Sequence, residues 1–210
     1  VFRGDRLDFI LNDILPYDRT PSQWGGIFFR SESYNNIMDN VIVRNGKTGL
    51  TFEKSSPDES KLKLNNSQIT NMGENLFFAL DCNIEVTNTE LTNAGGGVVV
   101  LIGGEYKFIH CTLANFMTLE KRTTSCLTMA NNANNEAHPL NATFDNCIID
   151  GSFDAGKEEY KGELNLSIDG AASIEYIFNH CVVKTNGNNN DHFKEVLFTN
   201  VSPSYRLKGG

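Results

Sequence analysis

One six-residue pattern recurs along this chain: an apolar residue, any residue, Asn or His, a small or branched residue, any residue, an aliphatic one. It is read as MDNVIV from Met38, LNNSQI from Leu64, VTNTEL from Val86, FIHCTL from Phe108, FDNCII from Phe144 and FNHCVV from Phe178, with a truncated FTNVS from Phe198. The steps between first residues are 26, 22, 22, 36, 34 and 20, a basic period near 22 with two enlarged turns. A period in the twenties means a solenoid, whose repeat cannot bury its apolar face alone and must stack on its neighbours.

The local period says which solenoid. Alternation dominates, as in Ile174, Tyr176 and Phe178 or Ile84 and Val86, among β-branched and aromatic residues punctuated by Gly and Asn. The dense Leu frame of a leucine-rich repeat is absent, whereas three short strands per turn suit a parallel β-helix, all-β, of six to seven coils. First strands are expected at GGIFFR from Gly25, TGLTFE from Thr48, NLFFAL from Asn75, GVVVLI from Gly97, SCLTMA from Ser125 and LNLSI from Leu164. The second strand then carries the apolar residue of the pattern, and the third begins just after its Asn or His. At about 4.8 Å per coil, six coils make a rod of roughly 30 Å. Residues 1–26 read as the end of a preceding coil plus a loop excursion, 27–202 as the coils, and 203–210 as a tail.

Stacking turns equivalent positions into columns. Asn40, Asn66, Asn88, His110, Asn146, His180 and Asn200 are expected at a tight turn, because Asn tolerates left-handed backbone and its amide can bond to the Asn of the next coil. The next column, Val41, Ser67, Thr89, Cys111, Cys147, Cys181 and Val201, suits an inward corner where Cys acts as a small hydrophobe. The His-Cys pairs invite a metal reading. Adjacent strand residues point to opposite sides, however, and Asn stands where a ligand should recur, so no metal site is assigned. The stacked cysteines lie within disulfide reach by strand spacing but with poor torsions, which favours free thiols. Cys82 and Cys126 are expected in the core.

Net charge is −8 with a pI near 5.0 and no run of Lys or Arg, which argues against nucleic acid or anionic lipid as partner. No apolar run approaches the roughly 20 residues of a membrane helix. The five cysteines form no CxxC, hence no zinc framework. The chain opens at Val1 without Met, so an upstream extension holding any signal peptide is expected.

The run GDRLDFILNDILPYDRTPSQWGGI from Gly4 to Ile27, followed by coils with NN and N-x-[IV] turns, resembles a family of right-handed parallel β-helix lipoproteins and surface proteins of Gram-negative bacteria. The signature is GDR, a tyrosine-containing loop, then QWGGI at Gln23 to Ile27; SYRLKGG from Ser204 is similar to the close of such a domain. The resemblance implies a right-handed helix exported to the outer membrane surface or periplasm, with a lipid anchor upstream. It implies no proven activity.

β-Helices commonly bind or cleave polysaccharides, so charged groups are sought on the outer face of the first strands. Alternation assigns Phe28, Thr51, Phe77, Val99, Leu101, Thr128, Asn165 and Ser167 to it, none of them charged, so neither a lyase base nor converging glycosidase carboxylates are found there. Its apolar residues suggest a cover, for which the excursion Leu7 to Asp18 is the candidate, or else a partner interface. Trp24 and Tyr160 are candidate sugar platforms, Trp24 alternatively packing on a neighbouring loop. Two insertions enlarge the later coils. TLEKRTTS and NNANNEAHP form one, and Asp150 to Glu163 the other, where Asp150, Asp154, Glu158 and Glu159 are candidate Ca²⁺ ligands beside Glu163, without EF-hand spacing. The expected function is glycan binding or adhesion. The alternatives are a polysaccharide lyase or glycoside hydrolase with its site at 150–163 or in missing N-terminal coils, and a scaffold using the apolar face.

Overall fold

The computed structural model describes residues 1–5, 19–155, 162–170 and 172–200. Strands follow one another in threes, each coil giving one to each of three sheets. The first coil holds β1 (Ile27–Phe29), β2 (Asn36–Asp39) and β3 (Ile42–Arg44), the second β4 (Leu50–Phe52), β5 (Ser60–Asn65) and β6 (Gln68–Met72). The third holds β7 (Phe77–Leu80), β8 (Asn83–Thr87) and β9 (Glu90–Ala94), the fourth β10 (Val99–Ile102), β11 (Gly104–Ile109) and β12 (Thr112–Asn115). In the fifth, β13 (Leu127–Ala130) is followed by a hairpin of β14 (Asn132–Ala133) and β15 (Glu136–Ala137), then β16 (Leu140–Asp145) and β17 (Ile148–Gly151). The sixth has β18 (Leu164–Ser167), β19 (Ile174–Asn179) and β20 (Val182–Val183), and a last partial coil has β21 (Phe193–Lys194) and β22 (Leu197–Phe198).

The first sheet runs β1-β4-β7-β10-β13-β18, the second β2-β5-β8-β11-β16-β19-β21, the third β3-β6-β9-β12-β17-β20-β22. Neighbours within all three pair in parallel, the antiparallel hairpin being an insertion. This is a parallel β-helix, and all six expected first strands lie in its first sheet. At the other end of the stack, Phe2 adds a rung beside Val43, its N–H donating to the Ile42 carbonyl at 2.7 Å.

Second and third strands meet at the expected turn. Asn40, Asn66, Asn88, His110, Asn146 and His180 have φ between 49° and 54°, the left-handed region in which Asn is strained least. Two expectations about this column change. Its seventh member is Glu195 (φ 51°), not Asn200, because Phe193 pairs with Phe178; Phe198 belongs to a third strand opposite Val183. The corner residue of that coil is accordingly Val196. The side chains also form no buried amide stack, since all six are exposed. Asn66 and Asn88 instead reach back to Asp39 Oδ1 and Asn65 Oδ1 at 3.3 and 3.4 Å, and Thr87 donates to Asn65 Oδ1 at 2.6 Å.

A second Asn column, five residues on, is buried at Asn45 and Asn115 and half-buried at Asn71 and Asn93. Asn45, Asn71 and Asn93 are again left-handed, and Asn71 donates to Asn45 Oδ1 at 2.8 Å. The fourth member, Asn115, is wholly buried, accepting the Ala94 N–H and donating to the Ala94 and Gly96 carbonyls.

Inward positions stack as well. Phe29, Phe52, Phe77, Phe108, Phe144, Phe178 and Phe193 form one file of rings with successive centroids 4.5 to 6.0 Å apart. Such contacts add about 0.5–1.5 kcal/mol each beyond the area they bury. All five cysteines are free and buried; Cys111, Cys147 and Cys181 stand in one column, each thiol donating to a carbonyl two residues back at 3.3 Å.

Candidate functional site

The first-sheet face is apolar, but its register differs from the expectation. Phe77, Val99 and Leu101 are fully buried. Outward instead are Phe28, Thr51, Phe78, Val100, Thr128 and Asn165 in one row, with Leu80, Ile102, the buried Ala130 and Ser167 in the next. The reason is local: Leu76-Phe77-Phe78 and Val98-Val99-Val100 are unbroken apolar runs with no polar residue to set the phase. Phe28 stays half exposed. The excursion from Leu7 to Asp18 lies outside the described residues.

The acidic insertion turns two of its carboxylates inward. Asp150, in β17, is buried with Lys184, their charges 3.9 Å apart, while Lys184 also donates to the Gly151 carbonyl at 2.6 Å. Glu163, wholly buried, takes Arg122 in a two-point pair at 2.7 and 3.1 Å and accepts the Cys126 and Phe153 N–H groups. Arg122 belongs to the TLEKRTTS insertion, so this ion pair fastens one insertion to the next. Asp154 is exposed; Glu158, Glu159 and Tyr160 lie outside the described residues. Trp24 packs as a structural residue, its indole N–H on the Arg44 carbonyl at 2.8 Å. His180 pairs with Glu195 at 2.7 Å on the surface, and no group of three or more metal-binding side chains converges among the described residues.

The charged face lies on the second sheet. Alternation turns Leu62, Leu64, Ile84, Val86, Tyr106 and Phe108 inward, and so turns the residues between them out. One outward column reads Lys63, Glu85, Lys107, Thr143 on consecutive strands, and the next reads Asn83, Glu105, Asn141, Glu175. Two depressions of about 260 and 230 Å³ lie over these columns and share Glu105 and Asn141, making one groove along the stack. Its floor includes Tyr106, whose phenol is pushed well above its ordinary value by burial and accepts the Cys82 N–H at 3.4 Å.

Loops bound the groove along one side. On that side stand Pro57, Pro139 and Ser173, from the loops that join first strands to second. The NNANNEAHP insertion supplies the hairpin here. Asn131, wholly buried at its base, donates to the Asp169 and Ala172 carbonyls at 2.9 and 2.7 Å and accepts the Asp169 N–H, tying it to the loop of the next coil. His138 holds its other end, with Nδ1 2.8 Å from Asp81 Oδ2, an oxygen that also lies 3.3 Å from Lys54 Nζ. Gly103 makes the adjoining turn at φ 59°, where a Cβ would lie 2.1 Å from Asp81 Oδ1.

Elsewhere on the surface charged side chains find partners, Lys47 in an ion pair with Glu74 and Glu90 in accepting the Gln68 side-chain N–H. The side chains of Glu85, Glu105, Lys107, Asn141 and Glu175 make no hydrogen bond or ion pair with another described residue. Sequence reasoning looked for charge on the first-sheet face and missed them. The signal was present: they sit one and three places before the apolar residue that opens each repeat.

Residues 12–113 match the family model described as right handed beta helix region, which supports the repeat family and a right-handed coil. No curated protein and no solved structure matches the chain. Among the described residues no helix is long and apolar enough to cross a membrane.

Proposed function

We propose that this chain binds a polysaccharide lengthwise in the groove of its second sheet, as an exported surface or periplasmic protein of glycan capture or adhesion. One observation carries the reading: a groove along the stack, bounded on one side by loops, in which the side chains of Glu85, Glu105, Lys107, Asn141 and Glu175 are left without partners among the described residues. A glycan offers hydroxyls that both donate and accept, which suits carboxylate, amide and ammonium groups set at regular intervals. The rigid sheet fixes the spacing of those groups before the ligand arrives, lowering the entropy lost on binding.

The test is a glycan screen of the purified chain, with Ca²⁺ and with chelator, repeated on Glu85→Ala and Lys107→Ala. Binding lost in both variants supports the groove; binding unchanged in both contradicts it. Shortening of a bound glycan, read by mass spectrometry, would show that the groove cleaves what it holds. Dependence on Ca²⁺ would point to the acidic insertion.

The half-exposed Phe28, with Phe78, Val100, Leu80 and Ile102 on the same face beyond Thr51, favours a second reading, a scaffold that docks through the first-sheet face. Phe78→Asp is then expected to abolish a concentration-dependent association while the chain stays folded. Phe77→Asp places a charge in the core and is expected to unfold it.

A further inference from the structure

We infer that the glycan held in this groove carries free amino groups, as a two-fold β-linked aminosugar chain does, and is not a polyuronate. The inference rests on the groove reading above and adds the ligand's charge and repeat. On consecutive strands the central column reads Asn83, Glu105, Asn141, Glu175, amide and carboxylate in alternation. Consecutive strands lie about 4.8 Å apart, so like groups recur every ~9.6 Å along the stack. In a two-fold β-linked chain each sugar is turned over relative to the last, and a given substituent faces the same side at every second sugar. The two-strand spacing is of the same order as that disaccharide step.

Amino groups facing the floor then meet Glu105 and Glu175, while the sugars between present hydroxyls to the amides. An ammonium on a carboxylate makes a charge-assisted hydrogen bond, the stronger kind. Asn83 already gives an N–H to the Pro57 carbonyl at 2.9 Å, which fixes its orientation. The charge balance points the same way. Glu85, Glu105 and Glu175 line the two depressions against Lys107 alone, on a chain of net charge −8. A polyuronate would set its own carboxylates against these and be repelled.

The experiment is calorimetric titration of the full chain with hexamers of glucosamine, N-acetylglucosamine and galacturonate, at low and high salt, for the parent, Glu105→Gln and Glu175→Gln. Both glutamates are exposed and without described partners, so the variants keep the fold. The glucosamine hexamer is expected to bind tightest, to weaken with salt, and to weaken about two- to fivefold with each substitution. Equal binding of the acetylated hexamer, insensitive to both substitutions, overturns the amino-group inference and leaves the groove reading standing, as does a preference for galacturonate. Failure of all three hexamers and of the wider glycan screen overturns the groove reading itself.

Discussion

At the scale of single residues, this fold depends on a backbone conformation that few side chains accept. Asn88 holds the turn between β8 and β9 at φ 49° with an exposed side chain, so its contribution is conformational more than contact-based. Asn88→Ala is expected to lower stability by about 1 kcal/mol and Asn88→Gly by much less, read as urea midpoints at constant slope. The thiols set a different condition. Burial pushes the Cys126 thiol well above its ordinary range, with the nearby Glu163 carboxylate adding to it, and raises Cys82 as well. Such a thiol keeps its proton in the folded chain when the unfolded chain has lost it. The stability it contributes is full below about pH 8.5 and is lost as pH rises towards the raised folded value. Lys61, lowered by its burial, acts in the opposite sense, so the informative quantity is the difference between variants. Cys126→Ala is expected to flatten the alkaline decline seen in denaturant titrations from pH 7 to 10. A decline as steep as that of the parent would contradict it.

At the scale of elements, the columns were legible and the insertions were not. The recurring Asn or His and the small residue after it located every second-to-third turn up to His180, because left-handed geometry selects few residue types. The last coil escaped since Glu195 stands at its turn and nothing in FKEVLF resembles Asn. Phase failed where Phe77-Phe78 and Val99-Val100 offered no contrast. The groove escaped because its charges are spread one or two per repeat and converge only when coils stack. The acidic insertion misled for the opposite reason: five carboxylates close in sequence read as one cluster, yet Asp150 and Glu163 answer to Lys184 and Arg122 from other coils. Removing one partner of such a pair leaves the other charged and buried. Arg122→Met is expected to destabilise by about 3–5 kcal/mol. Adding Glu163→Met should recover only part, because the Cys126 and Phe153 N–H groups then lose their acceptor. A double-mutant unfolding cycle measures both terms.

At the scale of the whole molecule, the coil converts a sequence period into a ruled surface. Each strand of the second sheet contributes one residue per column, so any side chain repeated in register becomes a regular row along the stack. Interior and exterior are thereby decoupled: the file of phenylalanine rings and the buried thiols hold the coils, while Glu85, Glu105, Lys107, Asn141 and Glu175 are free to be set by a ligand. A polymer with its own regular repeat is the natural occupant of such a surface. The most direct measurement is the amide and side-chain chemical-shift map of the labelled chain as a bound oligosaccharide is titrated in. The account predicts that the largest shifts run along β8, β11, β16 and β19 and out to the hairpin before Pro139. Shifts centred on Phe28, Phe78 and Val100, or spread evenly over the three sheets, would contradict it.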